Sequence, residues 1–149
     1  MSWYPHSTVA TIVEHNGRFL MVEEEDQGLT VFNQPAGHLE ENESLFEAAI
    51  RETLEETAWQ IELSDFLGLY CYQAPNNGET YIRHCFVGRT LYQQPERALD
   101  VGIIAAHWLS AEEIFNPTFK ARSPVVTKVL DDYLRGIRYP LELIFHHRE

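Results

Sequence analysis

The segment from Ser44 to Thr57 constrains the fold most strongly, because it is predicted to form a helix with one apolar side. Ser44 and Glu47 have the spacing of a capping box, in which two side chains accept hydrogen bonds from backbone N–H groups at the helix start. Bulky apolar residues recur on one side of this helix: Phe46, Ile50 and Leu54. Such a helix needs a sheet or another helix to cover its apolar side, so the segment predicts a layered domain.

The rest of the chain is dominated by predicted β-strands. Their bounds are 8–14, 18–24, 29–32, 61–72, 80–91 and 103–109. Ser110 and Glu113 form a second candidate capping box before a short helix, and Ser123 with Pro124 is typical of the start of a longer one. Strands interrupted by two main helices predict an α/β fold, with one mixed sheet and helices on its faces.

Length, charge and cysteine content limit the possible functions. The 149 residues fit a single domain, and the net charge of −12 disfavours binding to nucleic acid or to anionic membranes. No apolar run approaches the roughly 20 residues that span a bilayer. Cys71 and Cys85 cannot build a disulfide framework, and both are predicted to be buried free thiols. These features and the lack of a signal-peptide pattern predict a cytoplasmic protein, either a monomer or a homodimer.

Three acidic residues, Glu52, Glu55 and Glu56, fall within an arc of about 100° on the predicted helix. Ala48 and Ala49 are predicted to share this face and to leave room for ions and a ligand. Carboxylates this close repel one another, and Mg²⁺ or Mn²⁺ would relieve the repulsion because hard cations prefer oxygen ligands. A solvated acidic face is the alternative, so the metal hypothesis needs support from neighbouring residues.

That support comes from residues upstream of the cluster. The segment 37–59 resembles the Nudix box of the Nudix hydrolases, G-x5-E-x7-R-E-U-x-E-E-x-G-U, where U is a bulky apolar residue. Six positions match in register: Gly37, Glu43, Arg51, Glu52, Glu55 and Glu56. Thr53, Ala58 and Trp59 depart from the pattern. Because alanine tolerates a left-handed backbone poorly, Ala58 predicts a differently shaped helix end.

The resemblance implies a Nudix fold, an α/β/α sandwich, that hydrolyses a nucleoside diphosphate linked to another group. It implies Mg²⁺, or Mn²⁺ as a substitute, as the cofactor. The metal ligands implied are the side chains of three glutamates and a backbone carbonyl: Glu52, Glu55, Glu56 and Gly37. The implied catalytic residues are the same three glutamates with Arg51, which would orient the neighbouring carboxylates. The expected partner is a small phosphoanhydride substrate.

Hydrolysis also needs a group that accepts a proton from the attacking water, while the metal acidifies that water and offsets the phosphate charge. Glu55 and Glu56 remain alternatives for this general base. Asp100, in a distant loop, is a weaker candidate. Glu43 is expected to hold the loop against the helix by pairing with Arg51.

Substrate-binding residues are harder to predict. Arg83 is a candidate to clamp a terminal phosphate through two hydrogen bonds, with an exposed sheet arginine as an equal alternative. Lys120 and Arg122 are weaker candidates. The segment 35–40 resembles a branch of the family that acts broadly on nucleoside tri- and diphosphates and on hydroxymethylpyrimidine pyrophosphate, a thiamine precursor. That branch releases phosphate and a monophosphate.

An acidic protein–protein surface without metal-dependent turnover remains open from the sequence, as do two other functions of a Nudix fold. One is a Nudix pyrophosphatase acting on ADP-ribose, a dinucleotide or an isoprenoid diphosphate, which product analysis on a panel of phosphoanhydrides would identify. The other is a non-catalytic Nudix-fold binding module. The presence of every glutamate of the box disfavours that second alternative.

Overall fold

The computed structural model describes residues 2–149, which form seven strands, three α-helices and one 3₁₀ turn. In chain order these are β1 (His6–His15), β2 (Arg18–Asp26), β3 (Leu29–Asn33), β4 (Ala36–His38), α1 (Leu45–Thr57), β5 (Trp59–Gln73), β6 (Thr80–Gln93), β7 (Ile103–Leu109), α2 (Ala111–Ile114), α3 (Pro124–Leu134) and the 3₁₀ turn Leu141–Leu143. All six predicted strands are present. The prediction missed β4, because its three residues follow Pro35 and have the composition of a turn.

The seven strands form one mixed sheet. Its central path is β3-β2-β1-β6-β5, while β4 pairs with β1 and β7 pairs with β2. The β1–β6 pair is parallel and the other named pairs are antiparallel. Strand β1 therefore contacts three neighbours, and the short β4 lies directly before the loop that leads into α1.

Helices cover both faces of the sheet, which confirms the predicted sandwich. Alternate residues of β1 face opposite layers, as strand geometry requires. Val9 packs with Ala48 and Ala49 of α1. Ala10, next in the chain, belongs to the core cluster that contains Val126 of α3. Because both faces of β1 are buried, α1 packs on one side of the sheet, next to β1 and β4, and α3 packs on the other.

The structure corrects two predictions about buried residues. Cys85 is buried, but Cys71 is exposed near the end of β5, so the prediction for Cys71 is wrong. Ala48 and Ala49 are 0% and 1% exposed, so they lie in the core and do not provide space for ions. Their small side chains instead allow α1 to pack close to Val9 of β1.

The described residues also bear on membrane association. Within residues 2–149, none of the helices combines the length and the hydropathy that a membrane-spanning helix requires.

Candidate active site

The start of α1 is fixed by the predicted capping box. The N–H of Glu47 donates to Ser44 Oγ at 3.0 Å, and the N–H of Ser44 donates to Glu47 Oε1 at 2.8 Å. At the other end, Ala58 adopts φ 64° and ψ 13° and donates its N–H to the Leu54 carbonyl. The expectation of a differently shaped helix end is therefore wrong. The helix keeps the left-handed cap, at a cost of roughly 1–2 kcal/mol for a non-glycine residue.

Gly37 and Glu52 are in direct contact. A Cβ added to Gly37 would overlap with the carboxylate of Glu52, so a side chain at position 37 would displace the glutamate. The close packing of α1 on β1 and β4 produces this contact, because Gly37 pairs with Val9 in the sheet. Glycine at position 37 thus allows the carboxylate of Glu52 to reach the backbone of β4.

Arg51 joins the loop, the helix and the carboxylates. Its Nε and Nη2 each donate to Glu43 at 2.7 Å, and Nη2 also donates to the His38 carbonyl at 3.0 Å. Its Nη1 donates to Glu55 at 2.7 Å and lies 3.5 Å from Glu52. The predicted pairing of Glu43 with Arg51 is confirmed. Hydrogen bonds from Arg51 hold the pKa of the Glu43 carboxyl below its usual range.

A cluster of carboxylates lies beside this arginine. Glu52, Glu55 and Asp100 each offer an oxygen, and these oxygens lie within 4.8 Å of one another. The backbone N–H of Asp100 donates to the Glu55 carbonyl at 3.1 Å, which holds the loop before β7 against α1. Asp100, which the sequence offered only as a weaker candidate for the general base, is therefore adjacent to two of the predicted metal ligands.

Glu56 has different surroundings from Glu55. Its Oε1 accepts a hydrogen bond from the backbone N–H of Ala36 at 2.9 Å. Burial raises the pKa of its carboxyl to about 9, although the Ala36 hydrogen bond opposes the shift. Glu56 is not one of the three carboxylates of the close cluster, and it lines the neighbouring cleft instead.

The electrostatics of the site favour protonation or cation binding. Burial raises the pKa of Glu52 to about 7, with the negative charges of Glu55 and Asp100 adding to the shift and Arg51 opposing it. Burial, followed by the charge of Glu55, also raises the pKa of Asp100. A divalent cation among these oxygens would offset the repulsion, and hard cations prefer oxygen ligands of this kind.

A cleft of about 400 Å³ lies next to the cluster. Gly37 and Glu56 line one part of it. The rest is lined by residues of β1, β2, β3, β5 and β6, of the β5–β6 turn and of the segment that leads into α3. Arg83 and Arg122 both face this cleft, whereas Lys120 is exposed and is not among its lining residues. Two of the three predicted substrate-binding residues are thus brought together, and the third is not.

The two arginines have different partners. Arg83 Nη2 donates to the side-chain oxygens of Asn33 and Gln34 at 3.0 and 2.7 Å, and its buried Nε has no partner among residues 2–149. Arg122 Nη1 donates to Glu24 at 2.8 Å. Arg83 therefore has donor capacity free for an anion, and the charge of Arg122 is compensated by a buried carboxylate.

Several cleft residues were missed by the sequence analysis. Glu24, Asp26 and Asn33 lie on β2 and β3, where they belong to strands with no recognisable motif. The run of acids from Glu23 to Asp26 was visible, but it gave no indication of which side chains face the cleft. For the two acids, the signal is that alternate residues of β2 share one face, so that Asp26 lies on the same side as Glu24, which pairs with Arg122.

Comparisons with known proteins agree with this geometry. The family model described as the NUDIX domain matches residues 4–130. Phosphatase NudJ of Escherichia coli (strain K12) is 41% identical over 140 residues, which cover 94% of this chain and 90% of that protein. A NUDIX hydrolase from Nitrosomonas europaea superposes with a TM-score of 0.94 at 39% identity, over 97% of this chain and 98% of its own. A UDP-X diphosphatase superposes with a TM-score of 0.73 over 93% of this chain and 67% of its own, at 18% identity, a likeness of fold alone.

Proposed function

Because this chain belongs to the Nudix family and is a hydrolase that acts on phosphoanhydrides, we propose that it is a Mg²⁺-dependent phosphatase of nucleoside tri- and diphosphates. It releases phosphate and leaves a monophosphate, and hydroxymethylpyrimidine pyrophosphate is among its substrates. The similarity to phosphatase NudJ over 94% of the chain supports this choice. The observation that carries the proposal is the carboxylate cluster beside Gly37, at the edge of a cleft that contains Arg83.

The donor set of the cluster fits the proposed ion. Glu52, Glu55 and Asp100 supply carboxylate oxygens within 4.8 Å of one another, and Mg²⁺ is bound by a few carboxylates together with waters and substrate phosphates. In the proposal Glu56 and the Gly37 carbonyl complete the set, and Mn²⁺ is an effective substitute. The bound ion would offset phosphate charge and lower the pKa of a coordinated water.

The protein's own side chains position the reacting groups. Arg51 orients Glu55 through a 2.7 Å hydrogen bond and ties the helix to the loop through Glu43. We favour Glu55 over Glu56 as the proton acceptor, because Glu56 is engaged by the Ala36 N–H and its pKa is raised to about 9. A general base of this kind contributes roughly 10²–10⁴-fold to a rate.

Arg83 binds a phosphate of the substrate in this proposal. Its guanidinium is held in place by two neutral amide oxygens, and among residues 2–149 no carboxylate lies within 4.0 Å of it. The full positive charge therefore remains available to the substrate. This charge is important because the protein is strongly acidic and would otherwise repel an anionic ligand.

The proposal is tested by assaying purified protein on a panel of phosphoanhydrides, with Mg²⁺ and with the metal removed. The panel contains nucleoside tri- and diphosphates, hydroxymethylpyrimidine pyrophosphate, ADP-ribose, a dinucleoside polyphosphate and an isoprenoid diphosphate. Phosphate and pyrophosphate are measured separately. We expect phosphate to be released from the first three substrate classes, and only with the metal present.

The Glu56→Gln variant provides the matching residue test. Glutamine retains an oxygen that accepts the Ala36 N–H, so the fold should persist. The variant lacks the charge of a proposed metal ligand, so turnover should fall by at least about 10²-fold. Glu41→Gln removes the same charge at an exposed position in the loop before α1. It is the control and should retain activity. Preferential cleavage of ADP-ribose or a dinucleotide would favour the pyrophosphatase alternative. Metal-independent or absent turnover across the whole panel would contradict the proposal.

A further inference from the structure

The wall of the cleft around Arg122 is already charge-compensated. Arg122 Nη1 donates to the buried carboxylate of Glu24 at 2.8 Å, and its Nη2 lies 4.0 Å from Asp26 Oδ1. Arg83, across the cleft, has no such carboxylate partner among the described residues. A phosphate is therefore attracted to the Arg83 side, and the Arg122 side is suited to a part of the ligand that is not anionic.

Asp26 is the carboxylate on this wall that keeps free acceptor capacity. Its side chain is 32% exposed, and within residues 2–149 it accepts no hydrogen bond from another side chain. It ends β2 immediately before Gln27 and Gly28, whose φ angles of 53° and 80° form a tight hairpin turn that pairs Asp26 with Leu29. The paired turn fixes the backbone of Asp26, so its carboxylate is presented to the cleft from a rigid position.

Asp26 lies further along the wall of the cleft than Glu24. Both acids line the cleft together with Glu56, and they lie on the same face of β2. Two residues along a strand correspond to about 7 Å. Asp26 is also next to Gln27 of the hairpin turn, which lines the cleft as well. Its carboxylate is therefore available to a part of the ligand that extends along this wall.

Aromatic surface is available in the same cleft. Tyr72 of β5 and Tyr81 of β6 are directly opposite each other in the antiparallel pair, and both line the cleft. Side chains opposite each other in adjacent strands are neighbours on one face of a sheet. Tyr81 already stacks on His6, with 4.9 Å between the ring centroids, which leaves Tyr72 as the aromatic side chain of the pair against which a heteroaromatic ring can pack.

We propose that Asp26 determines substrate specificity by accepting a hydrogen bond from an exocyclic amino group on the heteroaromatic ring of the substrate. A bound ring without an amino group leaves the carboxylate partly desolvated and without a hydrogen-bond donor, which costs free energy. An apolar tail is rejected for the same reason. The inference rests on the proposed function, because it assigns the organic part of the same phosphoanhydride substrate.

The test compares two substrates that differ only in the amino group, ADP and purine riboside diphosphate. We expect wild-type protein to prefer ADP by about tenfold or more in kcat/KM, as a site that hydrogen-bonds a ligand group rejects the analogue lacking it. Asp26→Ala should abolish the preference, because ADP loses its hydrogen-bond acceptor and hydrolyses more slowly, while purine riboside diphosphate no longer pays for desolvating the carboxylate and hydrolyses at least as fast as before. Asp26→Asn keeps an acceptor oxygen and should retain part of the preference. Glu25→Gln, at the adjacent exposed position, should retain all of it.

Binding of the products gives a second measurement that does not need turnover. Calorimetric Kd values for AMP and for purine riboside monophosphate should show the same preference in wild type and its loss in Asp26→Ala. A wild type without preference, an unchanged ratio in Asp26→Ala, or an equal loss for both substrates would overturn the inference. Failure of the proposed function would look different: no nucleotide would be hydrolysed with Mg²⁺, while the two Kd values would still report on Asp26.

Discussion

At the residue scale, Glu55 and Glu56 are neighbours in the chain but differ in environment. One helical residue rotates the side chain by about 100°, which directs Glu55 towards Arg51 and Asp100 and Glu56 towards Ala36. Two identical side chains, adjacent in the chain, therefore have different hydrogen-bond partners and different burial. Glu55 belongs to the carboxylate cluster, whereas Glu56 lines the cleft and accepts a hydrogen bond from a backbone N–H.

The burial of Glu56 predicts how the stability of the metal-free protein depends on pH. A carboxyl with an ordinary pKa of 4.5 when unfolded and about 9 when folded binds more protons in the folded state between those values. The free energy of unfolding should therefore fall as pH rises through this window. Glu52, with a pKa of about 7, contributes mainly to the lower part of the window. Burial raises the pKa of the Cys85 thiol and adds a decline near pH 9, so the difference between wild type and a variant without the Glu56 carboxyl reports on Glu56.

Glu56→Gln should remove most of the decline above pH 7 and make the metal-free variant more stable than wild type at pH 9. Urea unfolding in the presence of a chelator, at pH 7 and pH 9, measures the effect. Glu41→Gln is the control and should keep the wild-type slope. An identical pH slope in wild type and Glu56→Gln would show that the carboxyl of Glu56 is not protonated in the folded protein.

At the element scale, α1 positions the site through its caps. Ser44 is buried and closes a two-sided capping box, while α2 carries the same box at Ser110 on only one turn of helix. The local pattern was sufficient to predict both boxes, since each depends on residues three positions apart. Strand bounds were also predicted closely, because period-two alternation and turn residues are local properties.

The packing of Ala48 and Ala49 could not be predicted in the same way. The apolar side of a helix does not indicate how near the sheet lies.

Removing the cap of α1 should cost stability. Ser44→Ala deletes the acceptor for the Glu47 N–H, and loss of such a cap costs about 1 kcal/mol of the free energy of unfolding. Urea denaturation measures the change, as a shift of the midpoint with the same m-value in both proteins. Ser110→Ala in the short and more exposed α2 is the matched comparison and should have a smaller effect. Equal losses in the two variants would contradict a special role for the start of α1.

At the scale of the whole molecule, the site depends on a contact between α1 and the loop before β7. The Asp100 N–H donates to the Glu55 carbonyl, and the Asp100 carboxylate joins Glu52 and Glu55. These groups repel one another in the metal-free fold, and a cation bound among them would relieve the repulsion. Binding that is confined to the folded state stabilises it, by about 2.7 kcal/mol when the ligand concentration is 100 times its Kd.

Mg²⁺ should therefore raise the Tm of the wild-type protein. Asp100→Asn removes one ligand charge and should reduce this rise, while slightly increasing the Tm of the metal-free protein because repulsion is lost. Differential scanning calorimetry with a Mg²⁺ titration measures both effects. Glu96→Gln, an exposed change in the same loop, should behave as wild type. A full Mg²⁺ response in Asp100→Asn would exclude Asp100 from the ion site.

The sequence by itself determined the helix α1, its caps and the spacing of its glutamates, because each depends on residues within a few positions of one another. The tertiary structure decided that Asp100 joins Glu52 and Glu55, that Glu56 is buried, and that Asp26 and Arg83 face one cleft. These contacts depend on strand register and on how closely a helix approaches a sheet. No local periodicity encodes either quantity, since both arise from the packing of segments that are distant in the chain.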